Sequence, residues 1–274
     1  MNKVLLCFPG GRHKALTMSY DDGRSADRRL VEVFNRNGIK GTFHLNSGLL
    51  GTDDRIAEEE VRSLYSGHEV SAHTVTHPTI ARCPNETIVH EVMEDRRRLE
   101  SIVGYAVRGM SYPNGSCDRR IQAMLPGLGI EYARVVTSTG QFGLPDDWLE
   151  WKPTCHHNHD LLGLAETFVG LHKQQYLYLM YVWGHSYEFD NDGNWERIER
   201  FCSYVGGRDE IWYATNIEIV DYVKAYGQLK FAASLDFVQN PTARSVWLSV
   251  NGRIVEVKSG ETMELTESRN PNPA

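Results

Sequence analysis

Residues 16–45 decide how this chain folds: Leu16-Thr-Met-Ser-Tyr20, then Asp21-Asp22-Gly23, then Ser25 to Gly38, then Gly41-Thr-Phe-His-Leu45. The outer runs are short and apolar-rich, as strands are. Between them Ser25 is placed to cap a helix with Leu30, Val31 and Phe34 on one face, and Gly38 ends it. The alternation continues outward. A helix is expected over 56–66, a strand over 69–72, and a long charged helix capped by Asn85 and ended by Gly104, with Ile88, Val92, Leu99 and Ile102 inward. Further strands are expected over 107–111, 130–135, 176–183 and 210–214, and helices over 117–125, 160–172, 194–205 and 216–226. Residues 137–156 show no clear period and read as a long loop, of the kind that is functional or disordered. Seven strand–helix units predict parallel strands with helices outside, in a barrel or a doubly wound sheet. After Gly227 the period changes to two, with an Asn251-Gly252 turn between 245–250 and 253–258. The expected division is 1–227 for the α/β unit and 228–274 for a small antiparallel hairpin extension and a tail, frayed over 269–274.

Composition narrows the function. The 274 residues carry 29 basic and 36 acidic side chains, a net charge of −7, which argues against nucleic acid or an anionic membrane as partner. No apolar run approaches the roughly 20 residues of a spanning helix. Val4-Leu-Leu-Cys-Phe8 is too short for a signal-peptide core. The five cysteines are odd in number and dispersed, without CxxC spacing, so reduced thiols and a cytoplasmic location are expected. A domain of this size needs no metal to hold its core. Any metal site is therefore functional, and the oligomeric state stays open.

In parallel α/β folds the reactive groups collect at the C-terminal strand ends. Those ends carry Asp21-Asp22-Gly23, His73-Thr-Val-Thr-His77, Tyr112-Pro-Asn-Gly115 and Gly184-His185-Ser186. Two histidines four apart share one face of a helical turn and can share a metal. Two His plus one carboxylate is a standard set for catalytic zinc, and either Asp21 or Asp22 supplies the carboxylate. The other is then free as a base towards water. Each motif alone has an ordinary reading: Asp-Asp-Gly and Pro-Asn-Gly are common turns, and many His pairs are surface accidents. Their joint occurrence at four strand ends shifts the balance.

These residues carry a resemblance. Thr17-Met-Ser-Tyr-Asp21-Asp22-Gly23, His73-Thr-Val-Thr-His77 and Met110-Ser-Tyr-Pro-Asn-Gly115 together resemble the NodB-homology polysaccharide deacetylases, carbohydrate esterase family 4, over about Leu16 to Tyr226. The resemblance implies a distorted (β/α)7 barrel and metal-dependent removal of N- or O-acetyl groups from sugars. By motif position it implies Asp21 as general base and His185 as general acid. Asp22, His73 and His77 would hold the metal, usually zinc, with Co2+, Ni2+ or Mn2+ also accepted by such ligands. The backbone N–H of Asn114 would hold the oxyanion. Substrate contacts are expected from Tyr112, Trp183, His156 and His157, with Trp148, Trp151, Tyr187, Asn46 and Glu188 as further candidates.

The chain also departs from that pattern. Ser111 stands where the family often has an Arg that pairs with the catalytic Asp, and Arg108 lies three residues earlier. The Asp/Trp pair that orients the acid His has only Asp146-Asp147-Trp148 as a counterpart. The run Cys155-His-His-Asn-His159 is not part of the general pattern; it suits a second metal or the cleft wall. Three rivals remain at this point. They are a hydrolase of another non-peptide C–N bond, a carbohydrate-binding pseudoenzyme, and a facial-triad iron oxygenase, whose usual scaffold is all-β.

Overall fold

The computed structural model describes residues 2–266, so the tail over 269–274 lies outside the described residues. Among the described residues fourteen strands follow one another: β1 Val4–Cys7, β2 Lys14–Asp21, β3 Gly41–Leu45, β4 Glu69–Ala72, β5 Gly109–Ser111, β6 Tyr132–Arg134, β7 Cys155–His156, β8 Tyr178–Gly184, β9 Ile211–Tyr213, β10 Lys230–Phe231, β11 Phe237–Gln239, β12 Val246–Val250, β13 Arg253–Val257 and β14 Thr262–Glu264. Helices α1 Asp27–Arg36, α2 Glu58–Leu64, α3 Asn85–Val103, α4 Arg119–Met124, α5 Leu161–Gly170, α6 Tyr187–Asn191, α7 Trp195–Val205 and α8 Asn216–Gly227 lie between them.

One parallel sheet runs β6-β5-β4-β3-β2-β8-β7, with β9 beside β2. It curls into the expected distorted (β/α)7 barrel, but ring membership differs from the sequence reading. The segment 151–156, expected as loop, closes the ring. Trp151 pairs with β6 through its N–H to Ala133 O at 2.9 Å, and Thr154 N–H reaches Tyr181 O of β8 at 2.8 Å. The expected seventh strand, β9, sits off the ring on the lower half of β2, from Lys14 to Leu16. A two-residue strand gives no periodicity to detect, which is why the closing element was not visible in the sequence.

Alternation within these strands sorts the barrel into two phases. Leu16, Met18, Tyr20, Phe43, Leu45, Val70 and Ala72 join Leu30, Phe34, Val61, Ile88, Val92 and Phe201 in one apolar cluster between sheet and helices. The intervening residues are polar and meet inside the ring. Tyr132 hydroxyl donates to Glu69 Oε1 at 2.7 Å and Thr42 hydroxyl to Glu69 Oε2 at 3.0 Å. The N-terminus of α8 plugs this lower end, with Ile217 N–H donating to Glu69 Oε2 at 2.9 Å. Thr17 hydroxyl donates to Asn216 Oδ1 at 2.8 Å, and Asn216 Nδ2 to Tyr181 hydroxyl at 2.7 Å. Hydrogen-bonded polar groups thus fill the lower lumen, which leaves the upper end to carry chemistry.

The add-on is antiparallel, as expected, and forms two three-stranded sheets, β1-β12-β13 and β10-β11-β14. It recruits the N-terminus: β1 pairs with β12 from Val4↔Val250 to Cys7↔Trp247. Val246, Leu248, Val257 and Leu265 pack with Phe8, Val220 and Tyr222 in a second apolar cluster. Among the described residues no helix is long and apolar enough to cross a membrane.

Candidate active site

Asp21 ends β2 and is buried at the top of the lumen. Ser111 hydroxyl donates to its Oδ1 at 3.0 Å, and the wholly buried guanidinium of Arg134 donates to Oδ2. Burial pushes the carboxyl up, but the charge of Arg134 foremost, with those of His73, His44 and His185, outweighs it and holds Asp21 well below the usual carboxylate range. Arg134, from β6, thus supplies the countercharge that Ser111 lacks. Arg108 does not: it forms a paired contact with Asp221, Nη1 to Oδ1 and Nη2 to Oδ2, both at 2.8 Å. Arg134 was missed in the sequence, although a lone cation inside the strand Tyr132-Ala-Arg134 was a signal. Alternation places it on the same face as Tyr132, in the lumen.

Asp22, His73 and His77 converge, with one ligand atom from each within 4.8 Å of the others. The helical turn expected for the two histidines is not what brings them together. Residues 73–77 form an irregular loop, with Thr74 at φ 66° and His77 at φ 61°, and the rings meet at 4.8 Å between centroids. Asp22 and Asn114 also sit at positive φ, 83° and 57°. Left-handed backbone at non-glycine residues costs of order 1–3 kcal/mol each and gathers at functional sites. The surroundings hold this backbone in place. Asp95 of α3 accepts from His73 N–H at 2.9 Å and Ser47 N–H at 2.7 Å, and Glu91 accepts from Thr76 hydroxyl at 2.7 Å. Asn46, expected towards substrate, is buried instead and donates to His73 O at 2.6 Å. Arg55 donates to the main-chain oxygen of Asp22.

The three side chains fit a divalent ion. His73 Nδ1 lies 2.9 Å from the Ser111 carbonyl oxygen, which only an N–H satisfies, so its Nε2 lone pair is free. Asp22 Oδ1 is buried without a hydrogen-bond partner. Two imidazoles and a carboxylate with an orphaned oxygen are the donor set of catalytic zinc and related ions.

His185 follows β8. Burial works against its charged form, but the Glu188 carboxylate and the charges of Asp21 and Asp22 outweigh it, and the pKa is raised. Its Nδ1 lies 3.3 Å from Glu188 Oε1. The same carboxylate is approached by His156 Nε2 at 3.1 Å and His157 Nε2 at 3.0 Å, both through Oε2. His157 is wholly buried, and Gly184 makes room for it, since a Cβ there would lie 2.1 Å from His157 Nδ1. Trp183 stacks its ring 4.4 Å from the Arg134 guanidinium. Asn114 is exposed at the mouth beside Thr79, 3.2 Å away. Tyr112 is buried and its hydroxyl donates to Leu149 O at 2.7 Å. Asp147 caps the turn at Leu149 rather than approaching His185, and Trp151 packs inside the ring, 4.8 Å from Tyr181.

The upper rim of this parallel (β/α) barrel thus places two histidines and an aspartate that could hold a metal ion beside a buried aspartate and a histidine of raised pKa. Residues 9–133 match the sequence profile described as polysaccharide deacetylase. Relatives include chitin deacetylase 1 of Cryptococcus neoformans, 30% identical over 41% of this chain and 24% of its own length. A chitin deacetylase of Colletotrichum lindemuthianum is 28% identical over 46% of this chain and 51% of its own. The chain thus spans about half or less of these relatives. A solved structure from Mycobacterium smegmatis, assigned to the polysaccharide deacetylases, superposes with TM-score 0.61 and 16% identity over 83% of this chain and 96% of that one, a likeness of fold.

Proposed function

We propose that this chain hydrolyses acetyl groups from a carbohydrate, with Asp21 as general base and His185 as general acid. One observation carries the reading: the ligand set Asp22, His73 and His77 lies beside an aspartate held ionised and within range of a histidine whose pKa is raised. When bound there, a divalent ion, Zn2+ first and Co2+, Ni2+ or Mn2+ as alternatives, supplies Lewis acidity towards water and the acyl oxygen. Asp21 accepts the proton of the attacking water, and Arg134 and Ser111 keep its carboxylate aimed. The Asn114 backbone N–H is assigned as donor to the oxyanion. His185 gives its proton to the departing nitrogen or oxygen as the acyl bond breaks. Two relatives are named chitin deacetylases, which favours an N-linked acetyl group. Five free cysteines favour a reducing, cytoplasmic setting and hence a small or precursor sugar.

Acetate release from N- and O-acetylated oligosaccharides, measured with each of the four metals added, tests the activity. Asp21→Asn is expected to lower kcat by about 10²- to 10⁴-fold while metal binding survives. An Asp21→Asn variant as fast as wild type would sink the role of Asp21. A wild type that releases no acetate from any of these sugars would sink the deacetylase reading.

A further inference from the structure

His156, His157 and Glu188 stand close enough together to suggest a second metal site, and their hydrogen bonds argue otherwise. A histidine that ligates through Nε2 carries its proton on Nδ1 and donates it outward. His73 has that arrangement, with Nδ1 against a carbonyl oxygen. His156 has the reverse: its Nδ1 accepts the backbone N–H of Asn158 at 3.2 Å, so its Nε2 bears the hydrogen. His157 Nδ1 lies 3.2 Å from the Tyr20 hydroxyl, whose proton burial retains far above the ordinary tyrosine range. A buried hydroxyl donates, so His157 Nδ1 accepts and its Nε2 also bears the hydrogen. Both Nε2–H groups then lie beside one oxygen, Glu188 Oε2, at 3.1 and 3.0 Å.

We propose that Glu188, clamped by His156 and His157, is the positioning residue for His185, in place of the Asp/Trp pair the sequence lacks; this rests on the reading of His185 as general acid. Glu188 Oε2 accepts the backbone N–H of His185 at 3.2 Å and has the two imidazoles beside it. Its Oε1 is left to His185 Nδ1. His157 Nε2 and His185 Nδ1 are buried with no hydrogen-bond partner among the described residues, and the Glu188 carboxylate lies 3.0 and 3.3 Å from them. The carboxylate therefore draws the neutral-form proton of His185 to Nδ1 and leaves Nε2 to exchange the catalytic proton. Position i+3 on the turn entering α6 fixes the distance, since Glu188 N–H also returns to His185 O at 3.1 Å. The charges facing His185 are Glu188 from α6, Asp21 and Asp22 from β2 and the residue after it, and the His156 and His157 rings from β7 and the residue after it.

The experiment combines three readouts on the full chain with zinc added. First, ¹⁵N shifts of imidazoles in wild type, above the His185 midpoint, are expected to show its proton on Nδ1; a proton on Nε2 overturns the proposal. Second, Glu188→Gln is expected to lower the His185 midpoint by about one unit or more and kcat by about 100-fold, with KM little changed. An unmoved midpoint, or a loss confined to KM, overturns it. Third, zinc counted per chain is expected to be the same in wild type and His156→Ala; two ions falling to one would make the cluster a metal site and overturn the clamp. If wild type shows no acetate release, the deacetylase reading fails, yet the tautomer and midpoint still decide the role of Glu188.

Discussion

Arg134 and Asp21 are each buried, and each is tolerable there because of the other. Removing one partner of such a pair typically costs about 3–5 kcal/mol. Arg134→Met is expected to lose stability on that scale in urea titrations, and pairing it with Asp21→Asn to restore part of the loss. Additive losses would mean the two do not act as a pair. Asp27 presents the opposite case. It accepts from Tyr65 hydroxyl at 2.6 Å and Ser186 hydroxyl at 2.5 Å with no ion-pair partner among the described residues, and burial foremost raises its pKa to about 7. The unfolded chain ionises this group near pH 4, so its contribution is complete below that value and is lost as pH rises towards 7. Asp27→Asn is therefore expected to gain on wild type between pH 4 and 7, by on the order of 3 kcal/mol at the upper end. A pH-independent difference in melting would refute that assignment. The meeting of Asp21, Asp22, His73, His77 and His185 at one rim was legible because they lie at or shortly after the ends of β2, β4 and β8 within recognisable motifs. Arg134, Asp95 and Glu91 were not, because their partners lie on other elements and only the fold brings them together.

At the scale of elements, apolar periodicity located the helices and the longer strands well: α3 ends before Gly104, as read, although Asn85 lies in its first turn and Pro84 takes the cap position expected for it. It failed where packing overrides local pattern. The 73–77 loop is held by Asp95, Glu91 and Asn46 in a conformation its sequence does not favour. The closing segment 151–156 joins the sheet, through a bridge at Trp151 and β7 at Cys155–His156, only because two neighbours supply its hydrogen bonds. Helix α8 carries its own signal, a capping box in which Thr215 hydroxyl accepts from Glu218 N–H and Glu218 Oε2 accepts from Thr215 N–H at 2.9 Å. Thr215→Ala is expected to cost about 1 kcal/mol in chemical denaturation. The barrel plug depends on the same helix end, so a cost near zero would mean that Glu69 and Asn216 hold it without the cap.

For the whole molecule, the sequence placed a boundary at Gly227, and the structure ties across it. Tyr222 hydroxyl of α8 donates to Cys7 O at 2.6 Å and accepts Trp247 N–H at 2.9 Å, linking barrel, N-terminus and extension. Truncation after Gly227 would leave β1 without its partner strand and expose Phe8, Val220 and Tyr222. Such a chain is expected to melt at least several degrees lower than the full chain, or to aggregate, in a calorimetric scan. Unchanged melting would make the extension an independent appendage. The barrel class was legible because strand–helix alternation is a property of the whole sequence, whereas the recruitment of β1 is a pairing across 240 or so residues that no local pattern encodes.

The most direct test of the site is metal bound per chain, counted by mass spectrometry on purified wild type, His73→Ala and His77→Ala after soaking with zinc. About one ion in wild type, lost in both variants, is expected from the convergence of Asp22, His73 and His77. A wild type that stays empty, or variants that keep the ion, would overturn the metal centre and the hydrolytic mechanism built around it.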